Sequence, residues 1–238
     1  MRGAALITVV AALGMRHGVD PDHLSIIDGL SRFHPSRWNG ALFAAGHGII
    51  VTDLAVGFGR LLAGLVEPYT VWILIALGAA NLWRLWKPKA HKHPMPPRLF
   101  QASPLVLGAL FGMGFETASQ LSAILLAGQL NPWILGLVFS LGMVLVDGAD
   151  GFLASRTLQL AQAGYRRSVQ SSRALGVLVV IVSFSLAGAE LAGIDLNRVA
   201  LPLGAVLFAT VIGLRLWGGR VQSTVAAPAP GRTEGQSI

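Results

Sequence analysis

Long apolar segments dominate this chain and leave few folds open to it. Six segments hold about 20 or more mostly apolar residues, the length that crosses a bilayer as a helix: 38–65, 68–86, 104–128, 132–153, 174–193 and 199–217. Only 12% of the 238 residues are charged, against about 25% in a typical soluble domain. A soluble protein with so few charges could not cover its surface. The sequence therefore predicts an all-α polytopic membrane protein.

Residues 4–30 predict a seventh span, interrupted near its middle by a polar stretch. That stretch reads Arg16-His17-Gly18-Val19-Asp20-Pro21-Asp22-His23. Ionisable groups at membrane depth are costly and mark a path or a site for a charged substrate. With this span, residues 1–217 form a single transmembrane domain of about seven helices. The Pro-, Ala- and Gly-rich tail, 218–238, is predicted to be disordered.

The two histidines of the polar stretch cannot share an ion on a straight helix. His17, Asp20 and His23 fall on one face, but about 9 Å of helical rise separates the two histidines. Pro21 cannot donate to the carbonyl group four residues earlier, and Gly18 weakens the turn further. We therefore expect local unwinding near Gly18–Pro21, which can bring the ligands together.

Basic residues are distributed unevenly between the two sides of the predicted bundle. The side reached after the first span holds all but four of the 18 lysines and arginines. Of those four, Arg2, Arg60 and Arg198 lie on the other side, and Arg16 lies within the membrane. Because cytoplasmic loops carry the excess of basic residues, we expect a bacterial cytoplasmic-membrane protein with its N-terminus outside and its C-terminus in the cytoplasm. The net charge of +7 belongs to these loops and does not indicate a nucleic-acid-binding patch.

Acidic residues follow a different distribution. Most of the 11 aspartates and glutamates lie within spans or at their edges, which favours a cation as cargo. A faint internal repeat aligns residues 23–27 with residues 120–124. If spans 1–3 and 4–6 are two halves, an odd number of spans in each makes the repeat inverted, a 3+3 plan found in secondary transporters.

Three further polar stretches lie inside later spans: Gly46–Asp53 in the second, Met113–Leu121 in the fourth and Leu141–Gly151 in the fifth. Their candidate site residues are His47, Asp53, Glu116, Thr117, Gln120, Asp147 and Asp150. The last two are three apart and can face one side of a helix. Imidazole nitrogen and carboxylate oxygen suit divalent transition metals, and the absence of cysteine excludes a thiolate site. These stretches therefore predict a metal site assembled from several spans.

Taken in order, the four motifs resemble those of the nickel/cobalt transporter (NiCoT) family of bacteria and some fungi. The first family signature reads Arg-His-Ala-x-Asp-Ala-Asp-His, and this chain matches it at Arg16, His17, Asp20, Asp22 and His23. The other signatures are a Gly-His-Ser stretch, a Leu-Gly-Phe-Asp-Thr-Ala-Thr-Glu stretch and a Gly-Met-x-Leu-x-Asp-x-x-Asp stretch. They are similar to residues 46–48, 113–120 and 142–150 of this chain.

The chain departs from the family pattern at four positions. Pro21 replaces an alanine, Gly48 a serine and Glu116 an aspartate. Gln120 replaces a glutamate and removes a charge, so the role of an acid does not carry over to it. The family usually has eight spans, whereas seven are predicted here.

The resemblance implies a secondary transporter, not an enzyme, that moves Ni²⁺ and/or Co²⁺ across the cytoplasmic membrane, with uptake as the expected direction. The residues expected to bind the ion are His17, Asp22, His23 and His47. Those expected to support the ligands or line the pathway are Arg16, Asp20, Asp53, Glu116, Thr117, Gln120, Asp147 and Asp150. The ion is the cargo, so we expect no cofactor. The expected partners are the metal ion and the lipid bilayer, with no nucleic acid and no ATPase subunit.

Two alternatives remain open on the sequence. One is metal efflux, although export relatives tend to carry a long His-rich loop and the loop here has only His91 and His93. The other is a membrane-embedded metalloenzyme, for which a His-Glu-x-x-His pattern is expected and is absent. Irving–Williams preferences do not separate nickel from cobalt. Because neutral imidazole is the ligand, uptake is expected to fall as the pH drops through about 6.5.

Overall fold

Eight α-helices and no strand occur in the residues that the structure, a computed structural model, describes: 2–56, 60–86, 103–114, 130–194 and 197–220. In chain order they are α1 Arg2–His17, α2 Pro21–Phe33, α3 Asn39–Val56, α4 Arg60–Trp86, α5 Pro104–Gly114, α6 Pro132–Gln162, α7 Arg166–Leu191 and α8 Asn197–Gly219. The predicted all-α class is therefore confirmed. The predicted interruption of the first span is also confirmed, because α1 ends at His17 and α2 begins at Pro21.

Helices of membrane-spanning character recur along the described chain. The four that are long and apolar enough to cross a bilayer are Asn39–Val56, Pro132–Gln162, Arg166–Leu191 and Pro202–Gly219. Shorter apolar helices occupy Gly3–His17, Val71–Trp86 and Pro104–Met113. All seven fall where spans are predicted, as a polytopic membrane protein requires.

Large apolar side chains lie on the outer surface of the bundle while ionisable side chains lie inside it, which is unusual for a soluble protein. Leu145 and Val206 are 66% and 64% exposed, whereas His47 and Asp147 are fully buried. Helix α2 is buried continuously from residue 21 to residue 31, although it carries two aspartates, a histidine and two serines there. Apolar faces outside and polar groups inside suit a bundle surrounded by lipid, where ionisable groups face the interior.

Helix ends differ from the predicted spans on both sides of the bundle. α3 ends at Val56 and α4 begins at Arg60, so the predicted boundary between residues 65 and 68 falls inside α4. Membrane helices tolerate proline, so the Glu67-Pro68 pair does not end this one. α6 and α7 also extend beyond their apolar windows, and between them Gly164 adopts a φ of +85°, a conformation that favours glycine at a helix C-terminus.

Parts of the predicted organisation lie outside the described residues. The second half of the predicted span 104–128 does so, since α5 is described only as far as Gly114. The tail does so from residue 221 onward. The inverted 3+3 repeat stays a prediction.

The broken first span packs into the middle of the bundle. α2 contacts α3, α4, α6, α7 and α8, while α1 packs along α6 and α3 lies against both α5 and α6. One apolar cluster includes Phe43, Leu74 and Phe111, and a second includes Phe139 and Met143. The polar stretches of α1, α2, α3 and α6 meet between these two clusters.

Glycines bring α1 and α3 against α6 with almost no side chain between the backbones. A Cβ atom on Gly40 of α3 would overlap the backbone carbonyl group of Asp147. One on Gly142 of α6 would overlap the carbonyl group of Ala11 in α1. Small residues permit this close approach of membrane helices, and here it sets the height of α3 against the polar stretch of α6.

We expect Gly40→Ala to destabilise the protein by about 1–3 kcal/mol, the range for forcing a group into a packed interior. The matched control is Gly148→Ala, because a Cβ there meets only the Cβ of Ala41, at 3.7 Å. Thermal unfolding of the two variants in the same detergent measures the difference. Equal melting temperatures would contradict the backbone contact between α3 and α6.

Candidate metal-binding site

Pro21 determines where the first span breaks. A residue before proline is pushed out of the helical region, and Asp20 accordingly adopts an extended conformation, with φ −62° and ψ 146°. The Val19 and Asp20 N–H groups bond to carbonyl groups three residues back, at 3.1 and 2.9 Å. The Asp20 N–H group thereby donates to the carbonyl group of His17, which Pro21 cannot do because it has no N–H group. The chain re-enters a helix with Pro21 at its first turn, where a missing N–H costs nothing.

The break brings three buried imidazole groups together. The ring centroids of His17 and His23 lie 4.6 Å apart, and each ring lies 4.7 Å from that of His47. The ligand atoms that these three residues offer all lie within 4.8 Å of one another. We call His17, His23 and His47 the imidazole cluster. It joins the end of α1, the start of α2 and the middle of α3.

Two carboxylates orient the rings of the cluster. Nδ1 of His17 lies 2.9 Å from a carboxylate oxygen of Asp20, and Nδ1 of His23 lies 2.9 Å from one of Asp147. A carboxylate only accepts, so in each pair the ring Nδ1–H donates. In the neutral ring this leaves the lone pair on Nε2. A carboxylate behind the imidazole is the usual second partner of a metal-binding histidine and raises its basicity.

Phenyl rings close off the cluster from both sides. The ring of Phe43 stands edge-on to His23 at 5.0 Å, and the ring of Phe139 lies 5.6 Å from His17. Gly18 lets the break approach α6, since a Cβ there would lie 3.0 Å from a carboxylate oxygen of Asp147. The nitrogens therefore sit in a dry pocket, where electrostatic interactions are stronger than in water.

Several buried polar atoms in this region have no hydrogen-bond partner among the described residues. They include Nε2 of His23, one carboxylate oxygen of Asp147 and one of Asp22. Buried polar groups are nearly always paired, and each exception calls for an explanation such as an ion. The free lone pair on His23 Nε2 lies beside two further imidazoles, which is the arrangement of a ligand set.

The structure brings most of the predicted residues of the first, second and fourth motifs together. Asp20 and Asp147 contact the cluster directly, whereas Asp22 is buried nearby and lies outside the group of ligand atoms within 4.8 Å. Arg16 is partly buried in the last turn of α1. Asp53 lies six residues beyond His47, about 9 Å along α3. Ligation by Asp22 and pathway roles for Arg16 and Asp53 stay predictions.

The third motif cannot be placed. Glu116, Thr117 and Gln120 lie outside the described residues, so their predicted role in the pathway stays a prediction. Met143, expected to be core rather than ligand, is fully buried in the apolar cluster beside Phe139.

Sequence reasoning missed a second group of buried charges. Arg215 of α8 is 2% exposed and binds carboxylates of Asp28 and Asp150. Both Arg215 and Asp28 lie near the ends of predicted spans, a position that suggests contact with water and loop residues. The available signal was that Asp28 and Arg32 are four apart and can pair on a helix; they do so, at 2.8 Å.

We expect Asp147→Asn to weaken binding of a divalent transition metal by about 10–100-fold, the usual cost of losing a carboxylate behind a ligand imidazole. Glu190→Gln is the matched control, since Glu190 is an exposed carboxylate at the end of α7. Isothermal titration of the purified protein with Ni²⁺ and with Co²⁺ compares the two. Equal affinity in both variants would show that Asp147 does not support a ligand.

Two curated relatives are similar to this chain. One is a protein named nickel transporter NicT from Mycobacterium tuberculosis, 25% identical over 300 residues that cover 93% of this chain and 80% of the relative. The other is named hydrogenase nickel incorporation protein HupN, from Bradyrhizobium diazoefficiens. It is 25% identical over 246 residues, covering 80% of this chain and 65% of its own length.

No family model and no solved structure matches the chain. The two relatives nevertheless align with 93% and 80% of its length. They confirm the resemblance of this chain to the nickel/cobalt transporter family.

Proposed function

We propose that this protein is a secondary transporter that moves Ni²⁺ and/or Co²⁺ across the cytoplasmic membrane, in the direction of uptake. The observation that carries the proposal is the imidazole cluster, three histidines buried at the centre of a bundle whose outer surface is apolar. Ionisable side chains inside a membrane bundle mark the path of a charged substrate. The names of the two relatives, a nickel transporter and a nickel incorporation protein, support nickel as cargo.

The donor set supports a transition metal rather than magnesium or calcium. Imidazole suits zinc, copper, iron and nickel, whereas magnesium and calcium prefer oxygen ligands. Nε2 of His17 and Nε2 of His47 lie 2.8 Å apart. At this distance one ring N–H donates to the other ring, and a bound ion would take the place of that proton.

Charge and membrane potential support transport of a divalent cation inward. The buried carboxylates of Asp20, Asp22 and Asp147 lie beside the imidazole cluster, so the site attracts positive charge. An inside-negative potential favours entry of a divalent ion by about 4.6 kcal/mol per 100 mV. The excess of basic residues at the end of the bundle reached by α2, α6 and α8 supports a cytoplasmic position for that end. The cargo moves toward it in the proposed direction.

The direct test is accumulation of radiolabelled Ni²⁺ and Co²⁺ by cells that lack their own importer for these metals. Expression of the protein should raise cell-associated metal. His23→Ala should return it to the level of cells without the protein, because the variant removes one of the three imidazole groups of the cluster. The control is His34→Ala, since His34 is an exposed histidine at the end of α2.

Three outcomes discriminate among the functions. Equal accumulation with His23→Ala and His34→Ala would contradict the role of the imidazole cluster in metal transport. Less metal in expressing cells than in cells without the protein supports efflux in place of uptake. Metal binding without movement across a vesicle membrane would favour an embedded metalloenzyme or a storage site.

A further inference from the structure

A second buried cluster of charges lies beyond the imidazole cluster, and we call Asp28, Asp150 and Arg215 the aspartate–arginine cluster. One guanidinium nitrogen of Arg215 donates to Asp28 at 3.0 Å, and another donates to both the carboxylate and the backbone carbonyl of Asp150. The other carboxylate oxygen of Asp28 accepts from Arg32 at 2.8 Å. Each of the three residues is no more than 2% exposed.

The helices that carry the imidazole cluster and its support also carry this second cluster. On α2, Asp28 follows His23 by five residues, about 7.5 Å of rise. On α6, Asp150 follows Asp147 by three residues, about 4.5 Å. His23 binds Asp147, and one turn further along both helices the two aspartates bind the same arginine. Arg215 therefore links α2 to α6 directly beyond the site.

Arg215 also reaches the end of the bundle. A cavity of about 290 Å³ has Arg215 in its wall, together with Thr157 of α6 and the exposed Arg156 and Arg220. The start of α7 is tied to the same end of α8, since Ser168 donates to the carbonyl group of Gly218. The guanidinium group thus lies between the imidazole cluster and an open cavity at the end where α2, α6 and α8 finish.

This position gives Arg215 an effect on any cation that leaves the site toward that end. The next carboxylates that could bind a metal ion moving from His23 along α6 are those of Asp28 and Asp150. Both already hold the positive charge of Arg215. Repulsion between two cations is strong in a dry interior. Passage along this route would require that the guanidinium group leave Asp150, which would free a carboxylate for the ion.

We propose that Arg215 closes the imidazole cluster toward the end of the bundle formed by α2, α6 and α8, and that release of Arg215 from Asp150 opens it. The inference rests on the proposed function, whose cargo it restrains. Arg215 is a positioning residue, because it acts through Asp28 and Asp150. A switch of this kind needs two discrete arrangements, and exchange of an ion for the guanidinium group on Asp150 supplies them.

Because the chain has no cysteine, a single introduced cysteine is the only thiol in the protein, and its labelling can test the proposed closure. Ser25 lies on α2 one turn before Asp28, is 3% exposed, and pairs its hydroxyl group with that of Ser183 on α7. It lines a space of about 10 Å³ between α2, α7 and α8 that Asp28 also borders, large enough for about one water molecule. Ser25→Cys is nearly isosteric, and a charged, membrane-impermeant thiol reagent measures its exposure from either side of oriented vesicles.

The variant for this test is Arg215→Gln combined with Asp150→Asn. Arg215→Gln alone leaves a buried carboxylate without a partner, which is strongly destabilising. The double variant keeps the net charge of the cluster, because it removes one positive and one negative group, and Asp28 retains Arg32 as its partner. Arg220→Gln is the matched control, because Arg220 lines the same cavity and is exposed.

An open state that holds at most about 10% of the molecules in the parent protein becomes dominant in the double variant. We therefore expect residue 25 to be labelled at least about tenfold faster in the double variant, and only from the side of the cavity. Ni²⁺ affinity of the purified double variant should equal that of Asp150→Asn alone, while accumulation of Ni²⁺ against a gradient is lost. Arg215→Lys should restore slow labelling, since the ammonium group can still bind a carboxylate. A purely structural role for Arg215 would change affinity together with labelling.

Labelling as slow as in the Arg220→Gln control overturns the closure by Arg215. Fast labelling from the opposite side overturns it equally. The proposed function fails separately, if the parent protein binds neither Ni²⁺ nor Co²⁺ or if His23→Ala leaves accumulation intact. Labelling is measured without metal, so the closure can be judged in either case.

Discussion

The structure depends on one steric constraint, the effect of Pro21 on the residue before it. The helical region is disfavoured for a residue ahead of a proline, and Gly18 weakens the same turn, so the first span breaks here, whereas α4 and α8 continue through their prolines. Without the break, His17 and His23 would remain about 9 Å apart along one helix. With it, their rings lie 4.6 Å apart. The family signature has an alanine at this position, so the break in this chain is reinforced by a residue of its own.

Helix geometry accounts for how much of the site the sequence could predict. The break between Gly18 and Pro21 followed from the missing N–H of proline, and the meeting of His17 with His23 followed from the break. The choice of His47 and Asp147 as partners followed from motif content and not from geometry, because no rule of local structure states which helices pack together. The separate roles expected of Asp22 and Asp20, as ligand and as support, came from the resemblance and not from geometry, and only the folded chain shows that Asp20 contacts His17.

Buried charge near span ends is the part that sequence reasoning could not reach. Arg215 stands four residues before the end of α8, where hydropathy alone assigns an arginine to the cytoplasmic surface. Its burial arises from two aspartates on other helices, 65 and 187 residues away in the chain. Pairing over such distances leaves no periodic signal. The boundary between α3 and α4 escaped prediction differently, because proline breaks a membrane helix less reliably than a soluble one.

The backbone contacts at Gly40 and Gly142 have a mechanical consequence. At these glycines the backbones of α1 and α3 touch the backbone of α6, and elsewhere along α3 and α6 the side chains of Ser140 and Thr52 fill the notches at Gly48 and Gly136. Such contacts lock the register of the helices, because a shift along the axis would drive one atom into another in a close-packed interior. The imidazole cluster lies on the α1, α2 and α3 side of this contact, and Asp147 lies on the α6 side. A rigid register of this kind would favour ions that fit the existing spacing over ions that require the helices to slide.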